Sequence, residues 1–368
     1  MPFADELISV ASIEALGECM AAAAPRRSWQ ATRSVAGSLS MLGLSGRARV
    51  VRDALLADLP TDYRNSEKII SRALRDSSFS GWMIWPVTEA VAARALASDE
   101  SDAFEAGLAM LAMLTTRLTG EFAIRSFLNS DLDRTLSVVQ TWVASDDEQV
   151  RRLASEGTRP RLPWAKTVPE LFHRPTMTLP ILDALHHDHS EYVRRSVANH
   201  LNDISRIDAD LAVSTARRWV ATDGGVSALT RHAMRTLIKQ ADPGALELLG
   251  FGPVADLRVE GPHPHDLTVT MGHALHFDFS IVNTGPDSVK IAVDYVIHYR
   301  KANGSLAPRV HKLTTKTLAA GQTYTATRRQ AFTPITTRRY YPGEHTLELQ
   351  VNGTRYGRQT FNLIDGMP

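Results

Sequence analysis

The chain changes its hydrophobic period once. From about residue 4 to 247 the apolar residues recur at the spacing of an amphipathic helix, and alternating runs of Val, Ile, Thr and Tyr are nearly absent. Beyond "GFGPVADLRV" (250–259) the pattern reverses to short alternating segments. Stacked helices followed by a separate pair of sheet layers satisfy both patterns. Within the helical part, "SDDEQVRRLASEG" (145–157), "HSEYVRRSVANHL" (189–201) and "GVSALTRHAMRTL" (225–237) are variations on one unit. Aligning Arg152, Arg195 and Arg231 gives spacings of 43 and 36 residues, which bracket the period of HEAT-like helical hairpins. Each hairpin buries one face only by stacking on the next, so a curved solenoid with a concave surface is predicted.

In the remainder, "HALHFDFSIV" (273–282), "KIAVDYVIHY" (290–299), "QTYTATRRQAF" (322–332), "HTLELQV" (345–351) and "RYGRQTFNLI" (355–364) alternate as half-buried strands do. Turn signals separate them, among them "NTGPD" (283–287), "NGS" (303–305) and the hairpin dipeptide Asn352-Gly353. Seven or eight short strands in roughly 110 residues read as an immunoglobulin-like sandwich, without the paired cysteines and core Trp of antibody domains. The expectation is an all-α HEAT-like helical-repeat solenoid over residues 1–250, followed by an all-β immunoglobulin-like sandwich over 253–368.

A hydrophobic content of 43% is ample for real cores, and the single cysteine, Cys19, excludes a disulfide framework and a cysteine-rich zinc site. A reducing, cytoplasmic compartment follows as an expectation. Asp5 and Glu6 stand where a secretory signal carries positive charge, and no apolar run approaches the length of a membrane span, so a protein that is not exported and not in a membrane is expected. Residues 251–368 carry 13 Lys and Arg against 9 Asp and Glu, leaving 28 against 31 elsewhere. Global charge is therefore neutral on nucleic acid, and any such partner has to be read from local patches.

The most informative patch is "VRRLASEGTRPRLPWAK" (150–166). It begins as an amphipathic helix and breaks at Gly157, Pro160 and Pro163, with Arg151, Arg152, Arg159, Arg161 and Lys166 opposed by Glu156 alone. A helix end running into an arginine-rich turn suits a phosphate clamp, because guanidinium groups grip backbone oxygens in a bidentate way. An ordinary solvated helix face accounts for the same charges.

"RRLASEGTRPRLPWA" resembles, almost residue for residue, the hallmark of the AlkC-type DNA alkylation-repair proteins of the HEAT-like glycosylase superfamily, and "GEFAIRSFL" (120–128) resembles the same family's "EFAIRPFL" segment. Ser126 departs from the family's proline there. The resemblance covers about residues 1–247, and some AlkC-like proteins carry an immunoglobulin-like C-terminal domain. It implies excision of cationic N-methylated bases, such as 3-methyladenine and 3-methylcytosine, from duplex DNA in base excision repair. It further implies an N-glycosyl hydrolase working without metal or cofactor, as a monomer, with the lesion left in the duplex instead of flipped out. A cationic base is already a good leaving group. Such an enzyme has only to stabilise an oxocarbenium-like sugar and place a water, which carboxylates can do.

On this reading Glu121, Glu156 and Asp203 are the candidate catalytic carboxylates, with Trp164 offering a π-face to the cationic lesion. Arg151, Arg152, Arg159, Arg161 and Lys166 are the candidate DNA contacts. Glu121 could equally be a first-turn charge stabilising its helix, and Trp164 a packing residue. Glu156 sits at a helix C-terminus, where negative charge is disfavoured, and such costs are tolerated at functional sites. Trp82 and Trp85 are read as a packing pair, Asn202 as a neighbour of the site, and His186, His187 and His189 as a solvated inter-repeat loop without metal. The basic pairs Arg300-Lys301, Arg328-Arg329 and Arg338-Arg339 suggest that the sandwich assists DNA binding. The rival readings are a silent helical-repeat scaffold and a non-enzymatic DNA-binding solenoid. Carboxylates on the concave face discriminate, because a surface built only to bind phosphates has no use for them.

Overall fold

The computed structural model describes residues 4–251, 256–333 and 339–366. Helices fill the chain to Leu248, and strands begin at Leu257; the expected sandwich boundary at 253 lies outside the described residues, as does Arg338. Among the described residues no helix is long and apolar enough to cross a membrane.

Aspartate caps punctuate the helices. Asp62, Asp131 and Asp147 each accept a backbone N–H of the turn they precede, at 2.7–3.0 Å, replacing the partners a helix start lacks. The three repeat units noted in the sequence become the helices Glu148–Glu156, Glu191–Ile204 and Ala228–Ala233, each packed on the next. Leu153, Val193, Val197 and Leu201 are excluded from solvent between them, and such burial contributes about 2 kcal/mol per side chain. Gly107 is required by close approach: a Cβ there would lie 2.6 Å from the Ala95 Cβ.

The strands are β1 (Leu257–Pro264), β2 (Thr268–Thr270), β3 (Ala274–Asn283), β4 (Val289–Arg300), β5 (Leu306–Leu318), β6 (Thr323–Ala331), β7 (Gly343–Val351) and β8 (Thr354–Ile364). They form a three-stranded sheet in the order β1-β3-β6 and a five-stranded sheet in the order β2-β8-β7-β4-β5. Alternate residues Phe277, Phe279 and Ile281 of one sheet meet Ile291, Val293 and Leu349 of the other in a single buried core. This is the sandwich the alternation predicts.

The division into compact units does not follow the change from helix to strand. One unit runs through the helices to Ala212 and is rejoined by Ala228–Ala233; the other takes Val213–Ser227 together with the described residues from Met234 onward. The reason is apolar packing. Leu246, Leu249 and Phe251 bury against Ala292 on the outer face of β4, and Lys290 donates to the Leu249 carbonyl at 3.0 Å. At the β7–β8 hairpin Gly353 has φ +86°, and a Cβ would come within 2.8 Å of Ala241. Both the turn and the helix above it therefore demand glycine.

Asp294 lies on the same outer face beside Gln350, and burial pushes its carboxyl up to about 6 from the usual 3.8, with Gln350 and Lys312 offsetting only part. The folded chain thus keeps a proton that the unfolded chain has already lost, so stability falls as pH rises through the window between those two values. Asp294→Asn is expected to stabilise the fold by about 1–3 kcal/mol at pH 7.5 and by little at pH 4. Thermal unfolding at the two pH values checks this, and an equal effect at both overturns it.

Candidate active site

Two helix ends and one turn meet here. Glu121 lies in the turn that leads into the helix Ile124–Ser130, Glu156 is the last residue of Glu148–Glu156, and Asp203 is the penultimate residue of Glu191–Ile204. Arg152 and Glu156 share one face of their helix at i,i+4 spacing. Gly157 lets that helix end against the Ile124–Ser130 helix, since a Cβ there would meet the Ile124 Cγ2 at 2.8 Å.

The five charges form one alternating ladder. Arg152 Nη1 donates to Glu121 Oε2 at 2.7 Å, and its Nη2 lies 3.7 Å from Glu156 Oε1. Arg159 Nη1 donates to that same Oε1 at 2.6 Å, while its Nε donates to Asp203 Oδ2 at 2.8 Å. Thr119 donates to Glu121 Oε2, and Ser196 donates to Glu156 Oε2 at 2.7 Å. Both oxygens of Glu156 are therefore engaged, whereas Glu121 Oε1 and Asp203 Oδ1 have no protein partner among the described residues. Burial works against the charge on Arg152 and Arg159, but their carboxylate partners outweigh it and hold both above the ordinary arginine range. Burial raises the proton affinity of Asp203 despite Arg159 beside it.

Arg151, adjacent to this ladder in sequence, faces elsewhere. Its Nε and Nη2 grip Asp188 at 2.6 and 3.1 Å, Nη1 donates to the carbonyls of Ser145 and Asp146, and Nη2 also reaches His189 Nε2 at 3.1 Å. All five of its donors are engaged inside the protein. Arg161 is exposed, with its guanidinium 5.4 Å from the Phe172 ring and no carboxylate partner among the described residues. Lys166 donates to the Ser126 hydroxyl at 3.1 Å, which gives the residue standing in place of proline a partner of its own.

Trp164 is 70% exposed with φ +63°. Pro163 and Trp164 are the central residues of a turn closed by Ala165 N–H to the Leu162 carbonyl at 3.4 Å. The second central position of such a turn favours glycine. An L-residue there carries strain of about 1–2 kcal/mol, and strain of that kind is concentrated at functional sites. Its indole borders a cavity of about 110 Å³ shared with Trp85, Phe122, Glu89 and Lys166. Trp85 is buried, stacked on Phe122 at 4.4 Å and tilted against Trp82 at 6.2 Å. Asn202 is buried and donates to the Ala233 carbonyl, away from the ladder.

Sequence reasoning passed over Arg125, Ser196 and Tyr192. Tyr192 supports Arg152 from 4.8 Å above its ring. Arg125 is 1% exposed, donating to the carbonyls of Lys166 at 2.9 Å, Gly157 at 3.2 Å and Arg159. It thereby fixes the loop that carries Arg159, Arg161 and Trp164. Burial and the nearby Arg159 lower it to about 10, with Asp203 opposing. An arginine within the apolar run "EFAIRSFL" was the available signal.

Residues 118–237 match the family model of the DNA alkylation repair enzymes, and residues 258–365 match the C-terminal Ig-like domain of the uncharacterised protein YhaZ. An uncharacterized protein YhaZ of Bacillus subtilis (strain 168) is 39% identical over 255 residues, which span 68% of this chain and 70% of that protein. The alkylpurine DNA glycosylase AlkC of Pseudomonas fluorescens, solved bound to DNA containing an abasic site analog, is 35% identical with a TM-score of 0.84, covering 99% of this chain and 100% of AlkC. The chain belongs to the AlkC family of DNA alkylation-repair proteins. In this AlkC-family chain Glu121, Arg152, Glu156 and Arg159 of the ladder and the Trp164 turn fall in the segments that resemble the family, residues 120–128 and 151–165, whereas Asp203 lies outside both.

Arg125→Lys keeps the charge but cannot span three carbonyls. It is expected to cost about 2–4 kcal/mol by leaving buried carbonyls without partners. A thermal midpoint unchanged from that of the parent chain would show that the loop does not depend on this clamp.

Proposed function

We propose that the chain is a DNA glycosylase that hydrolyses the N-glycosyl bond of cationic N-methylated bases, 3-methyladenine and 3-methylcytosine, in duplex DNA, without flipping the base. The observation that carries this reading is the carboxylate ladder. Three largely buried acids are gathered near the exposed Trp164, Arg161 and Lys166, and two of them keep an oxygen without a partner among the described residues. A scaffold or a pure DNA-binding solenoid gains nothing from such acids, because they repel phosphate.

The chemistry follows from the charges. The bond between C1′ and the base nitrogen breaks with its electron pair leaving on the base, which neutralises the cation. The sugar becomes oxocarbenium-like, and water adds at C1′. Glu121 Oε1 and Asp203 Oδ1 are the atoms suited to face that positive charge, fixed in advance by Arg152 and Arg159. Asp203, with its raised proton affinity, suits acceptance of the proton from the attacking water. Trp164 supplies a π-face to the methylated base, and its exposure fits contact at the duplex surface.

Phosphate contacts are assigned to Arg161 and Lys166, which are exposed, and to Arg152 Nε and Arg159 Nη2, which have no hydrogen-bond partner among the described residues. Arg151 departs from the sequence expectation and is assigned a structural role, since it has no donor left. The helical part (1–250) and the sandwich (253–368) are proposed as the two functional domains, the second adding grip through exposed cations such as Lys301 and Arg329. The chain acts as a cytoplasmic monomer that requires no metal or cofactor.

Glu121→Gln and Asp203→Asn keep shape and remove charge. Each is expected to slow single-turnover release of 3-methyladenine at least about a hundredfold, as for loss of one preorganised electrostatic group, while binding to undamaged duplex holds or tightens. Near-parental rates in both variants would refute the carboxylate mechanism. In a salt series with undamaged duplex, Arg161→Ala, Lys166→Ala and Arg329→Ala are each expected to reduce the salt slope by about one unit, and Arg151→Ala to leave it unchanged. Unaltered slopes in the first three place the phosphates elsewhere.

A further inference from the structure

Ser196 is 2% exposed and shares a helix face with Tyr192 and Asp203. Its Oγ lies 2.7 Å from Glu156 Oε2 and 3.0 Å from Ser155 Oγ. A hydroxyl has one proton and a carboxylate only accepts, so that proton points at Glu156, and the Ser155 hydroxyl donates to the Ser196 oxygen in turn. Behind them stands His200, fully buried, with Nδ1 2.9 Å from the Ser155 carbonyl and Nε2 3.1 Å from Thr178 Oγ1. A carbonyl only accepts, so Nδ1 carries the hydrogen and Nε2 accepts from Thr178. Burial presses His200 down to about 3, so it stays neutral in this tautomer at working pH.

Glu156 is thus held on both sides, by Arg159 on Oε1 and by Ser196 on Oε2. We propose that Ser196, braced by Ser155 and His200, is the positioning residue that keeps Glu156 from turning both oxygens onto Arg159. With Ser196 absent, the carboxylate can rotate into a two-pronged pair with that guanidinium, the geometry arginine and carboxylate prefer. Arg159 is then drawn off Asp203, and the buried Asp203 loses the hydrogen bond that favours its charged form. The inference rests on the carboxylate reading of the site. The charged and titratable groups that face the pair are Glu121, Arg125, Arg152, Tyr192, His200, Asp203 and Arg206, and of these Asp203 is the one that loses a hydrogen bond in the change.

The test uses the full chain with Ser196→Ala, Ser196→Thr and Glu156→Gln. Single-turnover release of 3-methyladenine is followed against pH, alongside binding to undamaged duplex. Ser196→Ala is expected to excise about tenfold more slowly or worse, the effect of losing a hydrogen bond to a charged group. Binding should stay within about twofold, the acidic limb of the rate profile should move to higher pH, and Ser196→Thr should restore most of the rate. If Ser196→Ala keeps the parental rate and profile while Glu156→Gln is slow, the inference fails and the carboxylate reading stands. If Ser196→Ala loses excision and binding together, with no movement of the acidic limb, Ser196 is a packing residue only and the inference also fails. A near-parental rate in Glu156→Gln overturns the inference alone, whereas near-parental rates in both Glu121→Gln and Asp203→Asn overturn the carboxylate reading and the inference with it.

Discussion

Arg159 holds two repeats and the site in one interaction. It leaves the end of one helix, binds the last residue of that helix through Nη1 and reaches Asp203 of the next repeat through Nε. Charge taken out of water is costly unless every partner is in place, and here the partners alternate without a gap from Glu121 to Asp203. Three carboxylates against two guanidinium groups leave the ladder with one negative charge in excess. That residual charge is what a developing sugar cation would meet. The arginines cover the acids while leaving one oxygen of Glu121 and one of Asp203 without a partner among the described residues.

A second set of ionic contacts sets the spacing of the repeats and keeps it separate from the chemistry. Arg151 Nη1 reaches back to the carbonyls of Ser145 and Asp146, and Arg194 Nη1 makes the same reach to those of Asp188 and His189. Each arginine thereby caps the loop that precedes its own helix. Asp188 then ties one unit to the other through Arg151, and Ser190 adds a bond to Glu148. Side by side in "VRR", the first arginine builds the stack and the second serves the ladder, because residues one position apart point a hundred degrees apart around a helix.

The loop 157–166 is the least regular part of the site and the most constrained. Arg125 fixes its carbonyls from below, Pro163 sets the turn, and Trp164 occupies a left-handed position without glycine's freedom. Holding a large aromatic side chain exposed costs conformational strain and solvation together, so a scaffold as rigid as the arginine clamp is needed to keep it there.

The helical and strand regions, the repeat spacing and five of the strands are legible in the sequence, because the two periods of 3.6 and 2 residues are imposed by burial on one face. Strand β5 is not: its "LAPRVHKLTTKTL" buries only Leu318 fully, carries Pro308 and several cations, and lies at a sheet edge where alternation is not enforced. The division into compact units is invisible for a different reason, since helices before residue 251 pack on the outer face of a sheet formed after it. Local sequence also identifies the charged residues at 121, 152, 156, 159 and 203, but says nothing of who binds whom. Pairing across 30 to 45 positions is settled only when the repeats stack. That stacking is what turned Arg151 inward to Asp188, gave Glu156 its second donor in Ser196, and left single oxygens of Glu121 and Asp203 free.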